Sequence, residues 1–85
     1  MMDTRRCHIL ILSKPGSEKR ISEIFEAEIK GEMASFLGEM IQVYGPYDVI
    51  ITFKFSDFND VGKCVLSVRG KLKDHITETV TCIER

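Results

Sequence analysis

The chain has 85 residues, with 12 Lys and Arg against 13 Asp and Glu, and a formal net charge of −1. That length fits one domain with a modest core. The charge balance speaks against the concentrated positive surface that nucleic acid requires, and no apolar run approaches the roughly 18 residues of a membrane span.

Met1 to Thr4 precede the first element and are expected to fray. Arg5 to Ser13 reads as a strand, with Cys7, Ile9 and Ile11 on one face and His8, Leu10 and Leu12 on the other. Both faces are largely apolar, so the strand requires cover on both sides. Lys14-Pro15-Gly16 ends it. Ser17 is a candidate N-cap, and Glu18 suits the positive end of a helix dipole. Ile21, Ile24, Phe25 and Ile29 then recur at helical spacing, which predicts an amphipathic helix ending near Gly31.

Between Gly31 and Tyr44 the pattern is broken by glycine. A strand is expected from Phe36 or Leu37 to Tyr44, bulged at Gly38. Gly45-Pro46-Tyr47 is a turn, since glycine admits positive φ and proline fixes φ while removing a donor. Asp48 to Phe55 is the strongest β segment, rich in branched and aromatic residues. Ser56 or Asp57 can cap a second helix, whose stripe is Val61, Val65, Val68 and Leu72. Lys73-Asp74-His75 is a loop, and Ile76 to Glu84 is the last strand. Alternation there separates Ile76, Val80 and Cys82 from a threonine row, Thr77, Thr79 and Thr81, with Ile83.

The order β-α-β-β-α-β belongs to the α+β class. It predicts a ferredoxin-like fold over residues 1–85 as a single domain: a four-stranded antiparallel sheet with both helices on one face. The second face of the sheet is then too apolar to stand in water. A second copy of the same sheet, related by a two-fold, would cover it.

The stretch Tyr44 to Asp48 concentrates the candidate chemistry. Backbone N–H groups of a glycine-containing turn can receive a carboxylate. Asp48 can take an ammonium by a charge-assisted hydrogen bond, and threonine hydroxyls can complete a polar lining. On residue chemistry alone, a plain turn that Asp48 stabilises is the simpler reading.

Metal binding is not expected. Adjacent Cys7 and His8 face opposite ways on a strand, and there is neither a C-x-x-C nor a closely spaced histidine pair. Cys7, Cys64 and Cys82 are too widely spaced for a disulfide framework, and reduced thiols, with no secretory h-region after the polar start, predict a cytoplasmic protein without cofactor. Nucleophilic catalysis would need a cysteine beside His8 or His75, and no local signature places one there.

The strand ending in Pro15-Gly16, the helix, the element Gly45-x-Tyr47-Asp48-Val49-Ile50, the second helix and a last strand carrying Thr79-Val80-Thr81 resemble the C-terminal effector-binding domain of the Lrp/AsnC transcription regulators, the RAM module. The resemblance runs from about Arg5 to Ile83. It implies a dimeric α/β barrel built through the sheets, assembly of dimers into a higher oligomer, and amino-acid effectors held where dimers meet. The family's effector-binding turn falls on Gly45, Tyr47 and Asp48, and its threonine-bearing last strand on Thr79 and Thr81.

Two features depart from the family pattern. No helix-turn-helix precedes the first strand, so the chain resembles a stand-alone form that acts without touching DNA directly, through effector binding or through a full-length Lrp/AsnC partner. The segment from Gly31 to Tyr44 is longer and more glycine-broken. The expected function is therefore non-enzymatic amino-acid sensing and oligomerisation. The alternatives are a small dimeric α/β-barrel enzyme of monooxygenase or isomerase type and a purely structural assembly module.

Overall fold

A computed structural model describes residues 3–85. The elements are β1 (Arg5–Ser13), α1 (Glu18–Ile24), β2 (Glu39–Gln42), β3 (Val49–Phe55), α2 (Phe58–Leu72) and β4 (Ile76–Ile83). The strands form one antiparallel sheet in the order β2-β3-β1-β4. This is the ferredoxin-like βαββαβ arrangement, with both helices on the same face. Asp3 and Thr4 carry no regular structure, and the expectation of fraying at Met1 and Met2 lies outside the described residues.

The core lies between sheet and helices. Cys7, Ile9 and Ile11 of β1 and Val49, Ile51, Phe53 and Phe55 of β3 are buried there. They meet Ile21, Ile24, Phe25 and Ile29 from the first helical segment and Val61, Cys64, Val68 and Leu72 from α2. The period-2 pattern of the strands and the near-3.6 period of the helices thus converge on one layer, where each buried aliphatic side chain contributes about 1.5–3 kcal/mol. Asp57 caps α2 as expected, its carboxylate accepting the Asn59 N–H at 2.9 Å.

Five sequence expectations are corrected. The first helix does not stay α-helical to Gly31: after Ile24 it widens over Phe25–Ile29, where the Lys30 N–H donates to the Phe25 carbonyl at 2.9 Å. Phe25 and Ile29 both stay buried, as their i, i+4 spacing predicts. Ser17 makes no side-chain cap; its carbonyl accepts the Ile21 N–H at 2.9 Å.

β2 is shorter than expected, because a 3-10 turn at Ala34–Phe36 and a left-handed Leu37 (φ 49°) occupy the preceding residues. Gly38 is a close approach rather than a bulge: a Cβ there would lie 2.8 Å from Phe53 Cε1. Finally, the β1–β4 register shifts between Leu12 and Ser13, so Ile76 pairs with Ser13. It packs against the core instead of sharing the face of Val80 and Cys82.

Candidate functional site

The turn from Val43 to Asp48 joins the edge strand β2 to β3. The Val43 N–H donates to the Asp48 carbonyl at 2.9 Å, and the Asp48 N–H donates to the Ile11 carbonyl at 3.0 Å. Gly45 sits at φ 143°, a conformation that side chains resist. Tyr44 is fully exposed, while Tyr47 and Asp48 are half-buried. Among the described residues, no backbone carbonyl accepts from the N–H groups of Tyr44, Gly45 or Tyr47.

Asp48 is the anchor of the turn. One carboxylate oxygen accepts the Ser13 N–H at 3.0 Å and the other accepts the Ser13 hydroxyl at 2.5 Å. The side chain therefore fastens the start of β3 to the end of β1, rather than closing its own turn. A carboxylate offers about four acceptor positions, so two remain. Asp48, Glu18, Gln42, Val43 and Tyr44 line an open cleft of about 440 Å³. Two acids and no cation line it, which suits a positively charged group.

Within one chain, the threonines belong to a different place. Ile11 pairs with Val49 on one side and with Thr79 on the other, so Thr79 lies two strand spacings from Val49, about 10 Å. Thr79 is half-buried and lines a groove of about 780 Å³ between α2 and β4, together with Leu66, Arg69, Gly70, Lys73 and Thr77. Thr81 is exposed further along the strand. Of the predicted turn residues, Asp48 lines the cleft while Gly45 and Tyr47 belong to the same turn outside its lining, and Thr79 and Thr81 lie on the opposite edge of the sheet.

Sequence reasoning missed two juxtapositions, both decided by strand register. Ser13 drew no notice because nothing local links it to Asp48, 35 residues away. On the face of the sheet without helices, His8 lies between Thr52 on β3 and Cys82 on β4, with His8 Nδ1 2.9 Å from Thr52 Oγ1. Around this row stand Leu10, Leu12, Ile50, Ile41 and Val80, edged by Arg6, Glu39, Lys54 and Glu78. An apolar centre with a charged rim is the usual make-up of a protein interface.

Cys7 and Cys64 are buried in the core, whereas Cys82 is exposed. Burial pushes the Cys64 thiol up to about 12, with Cys7 and Asp60 adding to the rise, and burial raises Cys7 as well. Neither thiol is a usable nucleophile near neutral pH. Among the described residues, no group of three or more His, Cys, Asp or Glu side chains is arranged to hold a metal, and no helix is long and apolar enough to cross a membrane.

No protein-family model matches the chain, and no curated protein sequence matches it. Solved structures do. FFRP-DM1 superposes with a TM-score of 0.69 at 22% identity, over 95% of this chain and 99% of that one. A DABB family protein with a ferredoxin-like fold from Mesorhizobium loti gives 0.66 at 16% identity, over 96% and 95%. A dimeric ferredoxin-like protein from an uncultured marine organism gives 0.59 at 8% identity, over 98% and 86%. The likeness is one of fold. At these identities it establishes the ferredoxin-like architecture and leaves the chemistry to be argued from the residues.

Proposed function

We propose that this chain is a non-enzymatic effector-binding and oligomerisation module of the RAM type, which binds a free amino acid at the Gly45–Asp48 turn and regulates transcription or metabolism in the cytoplasm. The observation that carries the reading is the cleft beside that turn. Asp48 is held rigidly by Ser13 with acceptor positions to spare, and Glu18 adds a second negative charge. These acids suit the ammonium; of the turn's uncommitted N–H groups, that of Tyr44 belongs to a residue lining the cleft and suits the carboxylate, while those of Gly45 and Tyr47 lie next to it in the turn.

The apolar centre of the helix-free face supports pairing with a second copy into a dimeric α/β barrel. A dimeric ferredoxin-like neighbour is consistent with that pairing. Thr79 and Thr81 reach the turn only from a different copy, so effector binding and assembly are linked. An effector that completes its site between dimers favours the higher oligomer. A full-length Lrp/AsnC regulator is the natural target of co-assembly, since this module makes no direct DNA contact.

The test is calorimetric titration against the twenty amino acids, with light scattering in parallel. Heat with at least one of them and a matching rise in mass are expected. No heat with any amino acid would remove the sensing reading. Asp48→Ala should abolish the response. Ser13→Ala, which loosens the anchor and keeps the carboxylate, should weaken it less.

One observation favours a small dimeric α/β-barrel enzyme instead, namely the Thr52–His8–Cys82 row. Loss of amino-acid binding in His8→Gln, with the assembly intact, would favour that reading over sensing at the turn.

A further inference from the structure

The two edges of the sheet differ. β2 is four residues long and follows the left-handed Leu37. β4 is eight residues long, and six of them are β-branched. It contains no lysine or proline, and its register shift against β1 lies at its start, beside Leu12 and Ser13. Short length, lysine, proline and bulges are what keep an edge strand from pairing with another chain. Past its first residues β4 has none of them.

The ladder fixes which backbone groups β4 leaves open. The Glu84 N–H donates to the Arg6 carbonyl at 2.9 Å. Bonded and non-bonded pairs alternate along an antiparallel ladder, so Glu84, Cys82 and Val80 bond towards β1. The N–H and carbonyl groups of Ile83, Thr81 and Thr79 therefore point outward, where no further strand lies.

Beside this open edge runs the groove between α2 and β4. Thr79 and Thr81 lie opposite Ile11 and Ile9, which puts their side chains on the helix-covered face, towards the groove. From the helix side the groove is lined by Arg69 and Lys73, about one turn apart. Among the described residues neither forms a salt bridge, whereas on the same helix Lys63 pairs with Asp60 and Lys71 with Glu32. The one acid lining the groove, Glu78, lies opposite Leu12 and springs from the helix-free face. An extended chain laid along β4 would bond to the outward backbone groups, and every second side chain would point over the groove. Facing two uncommitted cations, those side chains match if they are acidic.

We propose that the outer edge of β4 binds an extended peptide segment of a partner protein as a fifth strand, with acidic side chains at alternate positions facing Arg69 and Lys73. The open backbone groups select an extended chain, and the cations select its charge. The edge lies across the sheet from the Gly45–Asp48 turn, and the inference does not rest on amino-acid binding there. A bound segment covers Thr79 and Thr81, so it excludes another copy's turn from them.

The test is fluorescence polarisation with a labelled peptide as long as β4 that alternates Glu and Val. It should bind the wild-type chain, and a peptide alternating Lys and Val should bind roughly tenfold or more weakly. The double variant Arg69→Glu, Lys73→Glu should weaken the acidic peptide by a similar factor with the melting temperature unchanged. Methylating alternate main-chain nitrogens of the acidic peptide gives two further probes. The one methylated towards β4 should lose binding, and the one methylated away from it should keep it. No binding of the acidic peptide at millimolar concentration overturns the proposal, as does equal binding of the Glu and Lys peptides. Equal binding of the two methylated peptides overturns strand addition and leaves only a charged surface contact. Thr81→Pro removes an outward N–H and spares the bonds to β1. If it lowers the sedimenting mass of the chain alone, in buffer free of amino acids, a second copy occupies this edge and the peptide reading is wrong.

Discussion

The two faces of β1 carry similar apolar side chains in different circumstances. Cys7, Ile9 and Ile11 have no exposed surface, whereas Leu10 and Leu12 are half-buried. What separates the faces is the cover. Two helices lie on one side, and on the other Leu10 is flanked only by Ile50 and Val80. A buried aliphatic group surrounded on all sides leaves a cavity when truncated, whereas one at an open surface loses only part of its contacts. The helix-covered face therefore holds the single chain together, and the open face leaves apolar surface uncovered in the single chain.

Substitutions on the two faces sharpen that contrast. Ile9→Ala should have the largest effect, a loss of about 2–5 kcal/mol by urea denaturation. Leu10→Ala should cost less at low concentration, where single chains dominate. Its cost should grow with protein concentration if the open face is an interface, and concentration-independent melting would break the comparison.

Gly38→Ala should lose about 1–3 kcal/mol, because the added carbon would press on the Phe53 ring, with contacts at 2.8 and 3.2 Å to Cε1 and Cδ1. A neutral result by thermal melting would mean that the ring can withdraw from a core the structure shows as filled. Ser13→Ala removes a hydrogen bond to a carboxylate and should cost about 1.5–3 kcal/mol by the same measurement. The loss should persist without any amino acid present, because the anchor belongs to the fold as well as to the cleft.

The smallest effect near neutral pH concerns the thiols. Cys64 is raised to about 12, above the ordinary thiol value near 9 that it regains on unfolding. The folded chain thus keeps a proton that the unfolded chain releases. The stability contributed by this group is fully present below about pH 9 and is lost as pH rises towards 12. Melting temperature should fall over that window, and less so in Cys64→Ala measured against its own neutral-pH value. On the open face the thiol behaves differently: Cys82 alone should react with a disulfide reagent in the native protein, leaving the buried Cys7 and Cys64 for denaturing conditions.

Much of the architecture was legible because it rests on short-range patterns. The alternation in β1 and β3, the apolar stripe of α2 and the glycine–proline turn each follow from local chemistry, and their order allows few topologies. The segment from Phe25 to Gly38 was not legible in the same way. It carries a widened helical turn, a left-handed Leu37 and a shortened β2, and at Gly38 the rings of Phe53 and Phe25, distant from each other in sequence, leave little room for a side chain. The candidate site divides similarly. Gly45, Tyr47 and Asp48 stood out as turn residues with an acid, whereas Ser13 carried no sign of its partnership with Asp48.

By itself, then, the sequence determined which residues become strands and helices outside the segment from Phe25 to Gly38, because backbone periodicity and turn propensity act over a few positions. Only the tertiary structure decided which of two similar apolar faces meets the helices. It also decided that Ile76 turns inward at a register shift, that Asp48 is spent partly on Ser13, and that Thr79 and Thr81 lie across β1 from the turn. These outcomes depend on strand register and packing, which couple residues tens of positions apart and leave no mark on either one alone.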